Sequence, residues 1–280
     1  MNPTATSRNQ PATVAAAKKP AWPHIALTIL TAVCFLAAIG ATLSTANLAE
    51  KSNWPDALLL LLAAAGSVTA LARQLPLQNV LSATLVIALM GGAAHALNAE
   101  SRIPFGPLVF GADIGPKLFK NLPWAMPLLW VVAVLNSRGV ARLVLRPWRK
   151  MKTYGYWLIG ITAALVALFD LALEPFASHV KHYWLWTPTK FPLAWFGAPL
   201  VNFLAWVFVT LLMLAFVTPT LIKKQPGPRS VPDYHPLAVW LGGILLFAVA
   251  TALNGLWAAT AADAAIGIVT AVFAIRGGRW

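Results

Sequence analysis

The chain has 280 residues, 59% of them hydrophobic and only 10% charged, with a mean hydropathy of +0.71. A water-soluble domain of this size needs far more charge to cover its surface, so the composition excludes a soluble enzyme and indicates a polytopic membrane protein. The net charge of +13 would suit nucleic-acid binding in a soluble protein; here membrane topology accounts for the cations, and no nucleic acid is expected as a partner.

In chain order, residues 1–20 are polar, Ala/Pro-rich and unpatterned, which predicts a disordered cytoplasmic tail ahead of a single transmembrane helical domain over residues 21–280. The apolar run that follows is too long for a signal-peptide core and is read as a retained span. Hydropathy gives eight candidate spans: Trp22–Ser44, Ala57–Ala72, Leu77–Ala96, Leu122–Leu135, Tyr156–Leu173, Leu193–Ile222, Leu237–Leu256 and Ala258–Ile275. Repeated long apolar runs suit helices rather than the short alternating strands of a membrane barrel, so the expected fold is all-α, an integral membrane helix bundle. The second, fourth and eighth spans are short, which leaves seven transmembrane helices plus a re-entrant segment as an alternative to eight. The lone Cys34 lies in the first run as a small packing residue and rules out an internal disulfide or thiolate cluster.

The charges set the expected orientation. With the N-terminus cytoplasmic, eight spans place 15 of the 21 cations inside, including the run from Arg138 to Lys152, with Lys51, Arg102, Lys117, Lys120, Lys181 and Lys190 outside. That bias predicts cytoplasmic N- and C-termini in a bacterial inner membrane. The acids sort the other way: Glu50, Asp56, Glu100, Asp113, Asp170, Glu174 and Asp263 fall towards the non-cytoplasmic side.

Three stretches combine polar groups with helix breakers. "AESRIPFGPLVFGADIGPKLFKNLPW", Ala99 to Trp124, carries four prolines and three glycines and cannot be a spanning helix, yet it is too apolar for free solvent. It predicts a capping or re-entrant loop with Asp113 at its centre, either a solvated loop acid or a functional acid on a lid. "LFDLALEPFASHVKHYWLW" places Asp170 and Glu174 at i and i+4, on one helical face about 6 Å apart along the axis. Ionisable groups in spans usually face a cavity or a partner, and a protonated acid beside an ionised one is what general acid–base chemistry uses. A plainer expectation is a pair solvated at the helix end, or paired with Lys181 or Lys190. "FPLAWFGAPLVNFLAW" puts Asn202 inside an apolar run, where it needs a hydrogen-bond partner, as helix glue or to orient a water or a carboxylate. Trp184, Trp186, Trp195 and Trp206 read either as an interfacial belt or as the lining of a channel for a long apolar ligand. His95, His179 and His182 lack a convincing metal-ligand spacing, so no metal is expected, and there is no nucleotide-binding loop or nucleophile elbow.

In these same stretches the sequence resembles the carotenoid biosynthesis membrane-protein family of bacteria and archaea, whose named members are carotenoid hydratases of the CruF and bacterioruberin type. The resemblance is carried by "IPFGPLVFGADIGPKLF" with "PLLW", by "FDLALEP" with a downstream "WLW", and by "FGAPLVNFLAW", from about Arg102 to Trp206. Leu108, Val109 and Phe110 stand where the family often has aromatic hydroxyls, Phe169 where it often has Trp, and Glu174 where it often has Asp. The resemblance implies addition of water across the terminal C=C of an acyclic (ψ) carotenoid end, without a cofactor. It implies Asp113, Asp170, Glu174 and Asn202 as catalytic residues, and Phe105, Phe110, Trp184, Trp186, Trp195, Phe203 and Trp206 as substrate-binding residues. The implied partners are a lipid-dissolved carotenoid or polyprenoid, water, membrane lipids and other carotenoid enzymes. The other classes are a non-catalytic carotenoid- or polyprenoid-binding membrane protein and a proton-coupled small-solute transporter.

Overall fold

A computed structural model describes residues 22–43, 54–111, 114–118, 122–188, 193–222 and 232–280. The tail expected over residues 1–20, the lid acid Asp113 and the cation Lys190 lie outside the described residues. Among the described residues eight helices form the bundle: α1 (Trp22–Leu43), α2 (Trp54–Ala72), α3 (Leu77–Ser101), α4 (Ala125–Val144), α5 (Tyr154–Pro175), α6 (Leu200–Val217), α7 (His235–Leu253) and α8 (Trp257–Gly278). Seven are long and apolar enough to cross a bilayer, and α2, apolar over Asp56–Ala72, is the shorter eighth.

Helix α4 is the hub, packed against α2, α3, α5, α7 and α8. Its apolar window is 67% buried, against 6% for α1, which lies at the periphery with its apolar side chains outward. This position corrects the expected fourth span, which stopped at Leu135. The polar run Asn136, Ser137, Arg138 lowers hydropathy there, but each side chain is buried and bonded inside the bundle. Asn136 donates to Ser67 Oγ (2.9 Å) and to the Val132 carbonyl (2.8 Å). Ser137 accepts the Trp240 indole N–H (3.1 Å), and Arg138 donates to the Leu221 carbonyl (3.1 Å). With those needs met, the helix runs on to Val144. The α3–α4 contact depends on Gly91: a Cβ there would stand 2.3 Å from Trp130 Cγ, so only glycine lets the large ring approach.

The sixth span is also corrected, because the helix begins at Leu200 and not Leu193. Residues 194–199 form a small hairpin, β5 (Ala194–Trp195) paired with β6 (Ala198–Pro199), turning through Phe196 and Gly197 at positive φ. The Pro/Gly loop makes two further ladders. Strand β1 (Leu108–Phe110) pairs with β4 (Trp184–Trp186), and β2 (Lys117–Leu118) pairs with β3 (Leu122–Pro123). These ladders cap the end of the bundle where α3 and α5 finish and α4 and α6 begin.

Candidate functional site

The site is built where α5 meets α6 beneath the cap. Asp170 and Glu174 lie one turn apart on α5 and Asn202 in the first turn of α6, each 1% exposed. The Asn202 amide nitrogen donates to Asp170 Oδ2 at 2.7 Å and to Glu174 Oε1 at 3.2 Å, so one side chain holds both acids. Neither carboxylate is solvated or paired with Lys181, which instead bridges to Asp56 at 2.9 Å, where the Tyr183 hydroxyl also donates.

Strand β4 supplies the other two bonds. In an extended strand alternate side chains share a face, so Trp184 and Trp186 point inward while Leu185 is exposed. Both indole N–H groups meet Glu174 Oε2, from Trp184 at 3.0 Å and from Trp186 at 2.9 Å. The tryptophans are therefore hydrogen-bond donors to a buried acid and not an interfacial belt. The register Leu108↔Trp186 and Phe110↔Trp184 fixes the strand, and the Gly111 N–H donates to the Tyr183 carbonyl at 2.8 Å to extend the pairing.

Pro175 shapes the same end of α5. Lacking an N–H, it leaves the Leu171 carbonyl without its helical partner, and the Trp195 indole donates there at 3.0 Å. Trp195 thus ties the β5–β6 hairpin to α5 and does not line the acid pair. Phe203 is half-buried, turned about 100° round α6 from Asn202, and is not brought to the acids.

A chain of aromatic rings runs from Trp184, bonded to Glu174, to Trp206 on α6. Trp184 meets Phe110 edge-on (6.5 Å between centroids), Phe110 meets His95 (6.0 Å), and His95 meets Trp206 (6.1 Å), one turn beyond Asn202 on α6. Phe105 stacks on His95 at 4.3 Å, and Trp130 stacks on Trp206 at 3.8 Å. Asn98 puts Phe105 there: its side-chain oxygen accepts the N–H groups of Phe105 (2.8 Å) and Gly106 (3.2 Å), and its amide donates to the Gly106 carbonyl (3.0 Å), folding the loop onto the end of α3. Trp130 and Asn98 are not singled out by the sequence, and His95 enters there only as a weak metal-ligand candidate. The available signals were the Gly91–Gly92 pair ahead of His95 and the "PLLW" motif ending in Trp130. Among the described residues, neither ring nitrogen of His95, nor Asp170 Oδ1, meets a hydrogen-bond partner.

Beside the acids lies an apolar cavity of about 320 Å³ between α1, α2, α4, α5 and α7. Phe169 and Leu173 line it from α5 and Phe176 from the turn that follows, on a face turned from that of Asp170 and Glu174. Trp184 lines it too, so the ring that bonds Glu174 is also a cavity wall.

Compared with known families, residues 56–272 match the model described as carotenoid biosynthesis protein, which covers 217 of the 280 residues and the whole site. The chain belongs to the carotenoid biosynthesis protein family. Among characterised relatives of this family member is the bisanhydrobacterioruberin hydratase of Haloarcula japonica, 28% identical over 150 residues. That match takes in 51% of this chain and 48% of the relative, so the chain spans about half the relative's length. No solved structure matches this carotenoid biosynthesis protein significantly.

Proposed function

We propose that this carotenoid biosynthesis protein hydrates the terminal C=C of an acyclic (ψ) carotenoid end, with Asp170 as proton donor and Glu174 as the carboxylate that stabilises the cation and activates water. The observation that carries this reading is the unequal bonding of two acids held on one amide. Among the described residues, three N–H donors converge on Glu174, the surroundings of an ionised carboxylate, whereas Asp170 takes one donor and leaves Oδ1 unpartnered in the buried site.

The reaction balances with these groups alone. The alkene π pair takes the Asp170 proton at its CH carbon, leaving a tertiary cation on the dimethyl carbon. The negative charge of Glu174 and the faces of the surrounding aromatic rings stabilise that cation. A water oxygen then adds its lone pair to the cation and loses a proton to Glu174. Transfer of a proton from Glu174 to Asp170 restores the starting state, and the net change is alkene plus water to tertiary alcohol. In this scheme the terminal C=C lies against Asp170 and Glu174, and the apolar cavity across Trp184 takes the adjoining apolar chain. Asp113, outside the described residues, stays in the proposed catalytic set on the family resemblance alone.

Expression in a lycopene-accumulating bacterium, followed by chromatography and mass analysis, tests the reading. The expected pigment has gained the mass of water. Asp170→Asn and Glu174→Gln should each cut that product at least about 100-fold, the scale of a lost general acid or base. Unchanged pigment beside well-folded protein would return the chain to the binding-protein class, and full activity in both variants would overturn the site.

A further inference from the structure

The opposite end of the bundle carries a second built site. Helices α4 and α5 run antiparallel, so Tyr154 lies about 30 Å along α5 from Glu174. There a cavity of about 150 Å³ is walled by Arg138, Arg142, Arg146 and Arg149, with Tyr154 and Gln74 beside them. Arg138, Arg142 and Arg146 repeat every four residues on one stripe of α4 and its continuation, and the 3₁₀ turn Arg146–Trp148 brings Arg149 round to the same wall.

Like charges at this spacing repel, and a guanidinium withdrawn from water is costly unless matched. Arg138 is only 6% exposed, and the Leu221 carbonyl that it bonds is neutral. Among the described residues one carboxylate, Asp233, faces the four arginines in the cavity wall; its Oδ1 accepts the His235 N–H at 3.0 Å and its Oδ2 the Gln74 amide at 2.7 Å, and Gln74 Oε1 in turn accepts from Arg142 at 3.4 Å, so the wall keeps a net positive charge. A membrane anchor that only meets headgroups at the surface would carry its arginines outward; this one turns a buried arginine into a cavity. The volume equals that of about five waters in the liquid, enough for a tetrahedral oxyanion.

We infer that this cavity binds a phosphate group, through charge-assisted bonds from Arg138, Arg142 and Arg149. Guanidinium forks match phosphate geometry, and the site's position at a bundle end opens it both to a lipid headgroup phosphate and to free phosphate.

The test uses the full chain purified in neutral detergent, with thermal unfolding followed by tryptophan fluorescence. One arm titrates inorganic phosphate against chloride at equal ionic strength; the other adds phosphatidylglycerol against phosphatidylcholine. A saturable rise in melting temperature with inorganic phosphate identifies a free-anion site, and a rise with phosphatidylglycerol alone identifies a headgroup site. The double variant R142Q/R149Q, altered at two exposed positions, should bind at least about tenfold more weakly in the arm that responds. Arg138→Gln should abolish the response, and if that variant does not fold, the double variant still decides. No response in either arm, or an undiminished response in R142Q/R149Q, would overturn the site.

Discussion

Glu174 Oε2 accepts two indole N–H groups 2.9–3.0 Å away, an arrangement that needs two tryptophans on one face of one strand. Each bond to a charged acceptor contributes about 1.5–3 kcal/mol, and burying a carboxylate without such donors costs more. Trp186→Phe keeps the ring and removes one donor, so the proposed hydration should fall about 10- to 100-fold at matched protein level, measured as hydrated pigment in the lycopene strain. Retained activity would show that Trp186 only fills space. The acid pair itself was legible in "LFDLALEP", because two carboxylates at i and i+4 in an apolar run stand out on any helical reading. His95 was not: a lone histidine on a membrane helix gives no sign of the Phe105 ring stacked on it, which arrives through the Asn98 clamp on the following loop.

Between elements, the cap converts a loop into a positioning device. Strands β1 and β4 come from segments about 75 residues apart, and their register decides which way Trp184 and Trp186 face. Gly111 sits where a Cβ would stand 2.4 Å from the His182 carbonyl oxygen. Gly111→Ala should therefore push β1 from β4 and lower hydrated product at least about tenfold, since a misplacement of 1 Å can cost more than that. Its melting temperature should stay near that of the parent, because the helix core is untouched; a large loss of stability with unchanged specific activity would contradict the positioning role. Seven or eight helices were legible from hydropathy because each apolar run is long enough to register. The errors were local and physical. Buried polar groups on α4 hid its second half, and the apolar composition of residues 193–199 disguised a hairpin as a helix start. Pairing of "LVF" with "WLW" was out of reach, because a strand of three residues carries too short a pattern to name its partner.

At the scale of the whole molecule, the bundle separates two chemistries: the described membrane acids gather at the capped end and the arginine cavity lies at the other. Eight successive helices put the start of α1 and the end of α8 at the same end, where Gly278 and Gly277 leave no room for a Cβ against the Tyr234 hydroxyl and the Leu143 carbonyl. The positive-inside bias predicts the arginine end in the cytoplasm and the cap on the far side, from where the proposed hydration would draw its water. Cysteine accessibility decides this. In a Cys34→Ala background, single cysteines replace Leu185, 55% exposed on β4, and Arg149, exposed in the turn after α4. A membrane-impermeant maleimide should label the Leu185 position in intact spheroplasts, and the Arg149 position only after permeabilisation. The reverse pattern would place the cap in the cytoplasm and transfer the proposed source of water with it, and labelling of both positions in intact cells would mean the chain inserts in two orientations.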